Sequence, residues 1–162
     1  MSGLADQVRS LIDYNEWANL RILDSAAGLT EEQLDSKSAA SFETIRGSLT
    51  HILGAQRIWH ARWTRTTAGS PNAHSLNALK EAFESSHQDL RKFVLGLDDQ
   101  WAGSSFDYTD TKGVPQRRGL GNLIIHMVNH GTYHRGEVAL MLTGMDRSPG
   151  DIDYVYFLPS EV

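Results

Sequence analysis

Residues 120–143 read LGNLIIHMVNHGTYHRGEVALMLT, a run in which apolar residues recur every three or four positions. This spacing predicts a long amphipathic helix, and Gly144 is its expected end. His126, His130 and His134 are spaced by four residues, so on a helix they lie on one side, among apolar neighbours. We therefore expect these histidines to point into the protein.

Three further stretches show the same apolar spacing and predict long helices. Helix one covers residues 4–27, and helix two runs from about residue 43 to residue 66. The clearest linker, residues 68–72, separates helix two from helix three, which covers residues 76–97 with Ser75 as its cap. The histidine-bearing run is then helix four.

Shorter segments lie outside these helices. Residues 104–118 interleave apolar and polar side chains and predict a small hairpin-like loop before helix four. Residues 29–34 predict a short helical turn capped by Thr30, and residues 152–158 are apolar enough to dock against the rest of the chain. Together these segments predict an all-α fold, a four-helix bundle that forms a single domain over residues 1–162.

The composition excludes several classes of function. The chain has 162 residues with 15 Lys and Arg, 20 Asp and Glu, a net charge of −5 and no cysteine. The negative charge gives no broad attraction for nucleic acids or anionic membranes, so neither is an expected partner. The lack of cysteine excludes thiolate metal sites and a cysteine nucleophile. No run approaches the roughly 18 apolar residues of a membrane span and no leader pattern is present, so we expect a cytoplasmic protein.

The histidine triplet needs a chemical explanation, because random placement of the seven histidines would yield only about 0.01 triplets with this spacing. A buried imidazole without a partner for each ring nitrogen costs about 1–3 kcal/mol. A divalent metal ion relieves this cost by accepting a lone pair from each ring, with a further ligand from a facing helix. On helix two, His51 lies at the edge of the apolar stripe and is the candidate ligand, whereas His60 lies on nearly the opposite side. We interpret His74 and His87 as solvated.

Other catalytic motifs are missing from the sequence. The zinc-protease signature requires Glu directly after the first histidine of the pair, and here His130 is followed by Gly131. A nucleophile elbow, a phosphate-binding loop and a dinucleotide fingerprint are missing as well. Any chemistry must therefore come from the metal site. The alternative for His130 and His134 is a hydrogen-bonded histidine pair in the core.

Three segments carry a family resemblance that extends over nearly the whole chain. They are residues 14–19 (YNEWAN), residues 49–53 (LTHIL) with Trp59, and residues 126–137 (HMVNHGTYHRGE). These segments resemble the DinB family of metal-binding four-helix bundles. The resemblance implies a bundle with a long connection between helices two and three, a bound divalent metal ion and a homodimer.

The resemblance also implies a ligand set. One ligand comes from helix two, His51, and two come from helix four, His130 and His134. His126 lies one turn before that pair and is a candidate lining residue of the pocket. Imidazole ligands favour Zn or Ni here, with Co, Fe and Mn as further candidates.

Three more residues complete the set of candidate pocket residues: Tyr14, Asn15 and Glu137. Glu137 lies about one turn beyond the last ligand on its side of the helix. It either orients a ligand, acts as a base or forms a simple surface pair.

Three neutral histidines around a divalent ion leave an open coordination position, as catalytic sites do. Relatives in the wider superfamily are thiol-dependent transferases and isomerases. The sequence therefore predicts a metal-dependent enzyme of the thiol-dependent S-transferase or hydrolase type, with a small-molecule substrate and, for transfer, a low-molecular-weight thiol. Two alternatives stay open: a non-catalytic bundle that binds a metal or a ligand, and an interaction scaffold whose histidines are core residues.

Overall fold

Four long helices carry the fold in this computed structural model, which describes residues 3–71 and 74–160. The elements, in chain order, are α1 (Leu4–Ala26), α2 (Glu31–Leu34), α3 (Ile45–Thr64), α4 (Leu76–Leu95), α5 (Asp99–Ala102), β1 (Ser105–Thr109), β2 (Pro115–Gly119), α6 (Leu120–Thr143) and α7 (Tyr154–Phe157). The prediction of an all-α bundle is confirmed, and all four long helices lie where the sequence placed them. Residues 1–2, 72–73 and 161–162 of the predicted domain lie outside the described residues, and Asn72, at the end of the predicted linker, is one of them.

The helices pack in an order that differs from their order along the chain. Helix α1 packs chiefly against α4 and α6, and α3 packs against the same two helices. The connections over residues 27–44 and 96–119 therefore cross the bundle diagonally, whereas residues 65–75 join the neighbours α3 and α4. The connection expected to be long, between α3 and α4, is consequently shorter than the other two.

Side-chain caps mark the start of four helices, and at α5 the cap is Asp98, which accepts a hydrogen bond from the amide of Trp101. Thr30 and Ser75 each accept a hydrogen bond from a backbone amide of the first turn that follows, as predicted. Thr44 does the same for α3. Helix α3 begins at Ile45, slightly after the predicted start, because Glu43 has a φ of 59° and cannot continue a right-handed helix.

The core consists of two apolar clusters separated by a polar layer. One cluster contains Trp59, Trp63 and the first half of α6, and the other contains Phe83 and the end of α6. The buried polar residues between them are Asn15, Asn19, Gln56, Ser86, His87, His134 and Arg135. The interpretation of His87 as solvated is therefore wrong: its side chain is 2% exposed. The burial of His87 could not be predicted from α4 alone, because the sequence of one helix does not show which other helices pack over a polar residue on it.

The hairpin and the carboxy-terminal tail pack onto the bundle. Strands β1 and β2 pair antiparallel with Ser105 opposite Gly119, which confirms the predicted hairpin. The Tyr14 hydroxyl donates a hydrogen bond of 2.9 Å to the carbonyl of Ile152, and the Tyr154 ring packs edge-on against Tyr14. The tail is therefore docked, as expected. No helix in the described part of the chain is both long and apolar enough to span a membrane.

Candidate metal centre

Helices α3 and α6 bring three histidines to one point. His51 comes from α3, and His130 and His134 come from successive turns of α6. One ring nitrogen from each lies within 4.8 Å of the other two, and His51 Nε2 is 2.9 Å from His130 Nε2. Nitrogen ligands around a tetrahedral zinc ion lie about 3.3 Å apart, given Zn–N distances of 2.0–2.1 Å. The group therefore has the size and the donor chemistry to hold a divalent metal ion.

The surroundings of His51 and His130 favour their neutral imidazole forms. Burial, followed by the neighbouring His130 and His134, lowers the pKa of His51 to about 4. Burial also lowers the pKa of His130, with smaller contributions from His134 and His126. A neutral imidazole retains the lone pair that a metal ion requires, so the lowered pKa values of His51 and His130 favour metal binding at neutral pH.

Glu137 determines which nitrogen of His134 faces the cluster. His134 Nδ1 donates to Glu137 Oε2 over 2.8 Å, which leaves Nε2 of His134 as the free acceptor. The other carboxylate oxygen accepts hydrogen bonds from the backbone amide and the hydroxyl of Ser41, at 3.0 and 2.6 Å. Burial by itself raises the pKa of Glu137, but the hydrogen bonds from Ser41 and His134 outweigh it and hold the pKa below its usual range.

Phe42 covers the outer side of the cluster. Its ring stacks on His51 with a centroid distance of 3.7 Å and meets His134 edge-on at 5.3 Å. The chain reaches this position by passing close to Gly47, where an added Cβ would lie 2.4 Å from the Phe42 carbonyl oxygen. Neither Ser41 nor Phe42 was predicted as a site residue, because nothing in the sequence of a polar loop indicates which side chains fold back onto a neighbouring helix.

An open cavity of about 520 Å³ lies beside the cluster. His51 and His130 form part of its wall, and the hairpin closes the opposite side. The other lining residues include Ile58, Trp59, Arg62, Tyr108, Asp110 and His126. The cavity is thus apolar along α3 and polar near the hairpin, and it gives a small molecule access to the histidines.

The three histidines of α6 differ in burial, which corrects the expectation that all of them point inward. His134 is buried, His130 is half-buried and His126 is exposed in the cavity, with its ring edge-on to Trp59 at 5.6 Å. Four residues complete more than a full turn, so each step of four rotates the side chain by about 40°. Over two steps this rotation moves His126 from the core to the cavity wall.

Tyr14 and Asn15 lie apart from the cavity and surround Arg135 instead. Arg135 is fully buried, and its Nη1 donates to Asn15 Oδ1 at 2.8 Å and to Asn19 Oδ1 at 3.0 Å. The guanidinium carbon lies 5.4 Å from the centroid of the Tyr14 ring. The burial of Arg135 was not predicted from the sequence, because arginine is almost never fully buried. These residues fix the turn of α6 that carries His134.

Comparison with known proteins extends the likeness over the whole chain. The model of the DinB family matches residues 1–161. Protein DinB from Bacillus subtilis (strain 168) is 24% identical over 165 residues, an alignment that covers 96% of this chain and 95% of that protein. The segments that suggested the resemblance lie within this match, and two of them supply the histidines of the cluster. The chain therefore belongs to the DinB family.

Proposed function

We propose that this protein is a metal-dependent enzyme of the thiol-dependent S-transferase or hydrolase type that acts on a small molecule. The observation that carries the proposal is the convergence of His51, His130 and His134 at the wall of an open cavity. Within residues 3–71 and 74–160, no fourth Asp, Glu or His joins this group. Three protein ligands with one side open are the arrangement of catalytic sites, whereas structural sites have four.

The three imidazoles would hold the ion, with Zn or Ni favoured and Co, Fe and Mn as further candidates. A bound divalent ion lowers the pKa of a coordinated water or thiol and so supplies a nucleophile at neutral pH. The chain has no cysteine of its own, so in the transferase reaction the thiol comes from a low-molecular-weight co-substrate.

The surrounding residues have distinct roles in this proposal. Glu137 holds His134 in the tautomer that presents Nε2, and Phe42 shields the His51 ring from water. His126 lines the cavity with its ring 6.2 Å from that of His130, where it is positioned to exchange a proton with a bound substrate. A homodimer and a cytoplasmic location stay predictions, and light scattering at two protein concentrations tests the first.

Metal content tests the proposal directly. We expect tag-free wild-type protein to contain or take up about one divalent ion per chain by elemental analysis, and His51→Ala to lose it while keeping its helical circular dichroism. His60→Ala is the matched control, because His60 lies on the same helix outside the cluster. If wild-type protein does not take up metal, the three histidines are interpreted as core residues instead of metal ligands, and the proposal is overturned.

Turnover separates an enzyme from a binding protein. The loaded protein is assayed for consumption of a small thiol with a chromogenic electrophile and for ester hydrolysis, each before and after chelation. We expect one of the two activities to disappear with the metal and to return on reloading. Stoichiometric metal without either activity would favour the alternative, a non-catalytic metal-binding bundle.

A further inference from the structure

Arg62 projects into the cavity from the carboxy-terminal part of α3. Its guanidinium carbon lies 4.6 Å from the centroid of the Trp59 ring and 5.3 Å from that of Tyr108. Two aromatic rings against a planar guanidinium restrict its orientation and leave its N–H edges for another partner. The group is thus positioned before any ligand arrives.

In the described part of the chain, Arg62 makes neither a hydrogen bond nor an ion pair. This distinguishes it from Arg117 on the hairpin, which pairs with Asp107 at 2.7 Å. Asp110 also lines the cavity and its charge interacts with that of Arg62, but its Oδ1 accepts hydrogen bonds from the amides of Lys112 and Val114, and its Oδ2 accepts one from the Gln116 side chain. The cavity therefore contains a guanidinium whose hydrogen-bonding capacity is unused and a carboxylate that is already engaged.

The wall between the histidines and Arg62 is apolar. Ile58 and Trp59 lie along it, and the Ile58 side chain is 40% exposed. Trp59, under the guanidinium, follows His51 by eight residues, which corresponds to about 12 Å along the helix axis. A molecule that reaches both ends of the cavity therefore has a reacting group and a polar group separated by an apolar body roughly 10 Å long.

We propose that the cavity selects small organic anions, and that Arg62 is the specificity-determining residue that binds their carboxylate. The apolar body of the substrate lies on Ile58 and Trp59, and its other end reaches the three histidines. The inference rests on the proposed function for the reacting end of the substrate. Recognition of the anion by Arg62 depends on the chain alone.

Binding to metal-free protein tests the inference. Protein treated with a chelator is titrated calorimetrically with 4-phenylbutyrate, with the neutral 4-phenylbutyramide and with the cationic 4-phenylbutylamine. We expect wild type to bind the carboxylate about tenfold more tightly than the amide, because the hydrogen bonds to Arg62 are charge-assisted. In Arg62→Met, which keeps the apolar stem on Trp59, this preference falls to about twofold or less, and amide binding is unchanged.

Two further variants sharpen the result. Arg65→Met is the matched control: the Arg65 guanidinium lies 4.6 Å from the Phe106 ring centroid but does not line the cavity, so the preference survives. Asp110→Asn removes a nearby negative charge and keeps an acceptor for the turn, so carboxylate affinity rises. Thermal melts confirm that each variant is folded.

Three outcomes overturn the inference: no carboxylate preference in metal-free wild type, an unchanged carboxylate preference in Arg62→Met, and tighter binding of the amine than of the carboxylate. Because the titration uses metal-free protein, its result is independent of whether the metal assays above succeed.

Discussion

His134 and Glu137 are joined by a hydrogen bond of 2.8 Å between Nδ1 and a carboxylate oxygen, within one turn of α6. The second oxygen of the same carboxylate is bound by Ser41, which lies in the loop that precedes α3. One acidic side chain thereby links α6, which carries His130 and His134, to the loop that leads into α3, which carries His51. It also sets the tautomer of the most buried of the three histidines.

Glu137→Gln is expected to weaken metal binding. The amide can still accept one hydrogen bond, but it carries no charge and cannot bind His134 and Ser41 in the same way. Loss of such a contact to a ligating histidine lowers metal affinity by about 10–100-fold. Competition with a chromogenic chelator measures the change, with the exposed Glu84→Gln on α4 as control. Equal affinity in both variants would contradict the role of Glu137.

Gly131→Ala is expected to destabilise the fold. An added Cβ would lie 2.9 Å from Nη1 of Arg135 and 3.3 Å from Oδ1 of Asn15. Both groups are buried and hydrogen-bonded to each other, so they cannot move aside, and we expect a loss of about 1–3 kcal/mol.

Gly136→Ala in the same helix is the matched control. No atom lies within 4 Å of the Cβ that this substitution adds. It should leave stability unchanged or raise it by up to about 1 kcal/mol, because alanine favours a helix over glycine. Urea unfolding compares the two variants, and similar free energies of unfolding would show that the site of Arg135 tolerates a methyl group.

His87 is expected to make stability depend on pH. Burial, with the charges of Arg91 and Arg135, lowers the pKa of His87 from 6.5 to about 4, and Nε2 lies 3.0 Å from the amide nitrogen of Asn19. Above pH 6.5 the imidazole is neutral in both the folded and the unfolded chain. As the pH falls towards 4, the unfolded chain binds a proton that the folded chain excludes, which costs roughly 3 kcal/mol in total.

His87→Gln should remove this contribution. We expect the free energy of unfolding of wild type, relative to that of the variant, to decline between about pH 6.5 and pH 4. A variant whose pH dependence parallels wild type would mean that other groups titrate in this range.

Phe42→Ala is expected to raise the pKa of His51. The Phe42 ring stacks on the imidazole at 3.7 Å and contributes to the burial that lowers its pKa to about 4. Removing the ring admits water, so the pKa of His51 moves towards 6.5. An NMR titration of the metal-free protein reads this shift directly. Phe106→Ala on the hairpin should leave it unchanged, and an unshifted His51 in Phe42→Ala would show that the ring does not shield it.

Much of the fold could be predicted from the sequence. Apolar residues at helical spacing located the four long helices, and alternation located the hairpin. Local capping hydrogen bonds were equally predictable, because Thr30 and Ser75 accept them from residues only three positions further along the chain. Such features depend on neighbours along the chain, so the sequence contains them completely.

The site was predictable only in part. The spacing of His130 and His134 singled out the pair. The position of His51 at the edge of the apolar stripe made it the candidate third member of the cluster, and the family resemblance strengthened that choice. His126 has the same spacing, yet it lies in the cavity wall, because an offset of about 40° for every four residues accumulates along the helix.

Periodicity along the chain was enough to locate the helical segments, their apolar faces and the shared side of His130 and His134. What those faces meet depends on tertiary packing, which buries Arg135 and His87 in a polar layer, places Phe42 over His51 and brings Arg62 into the cavity. This division arises because periodicity reports the direction of a side chain relative to its own helix axis. The partners of that side chain depend on which helices are neighbours in the bundle, and that order is a property of packing between distant segments.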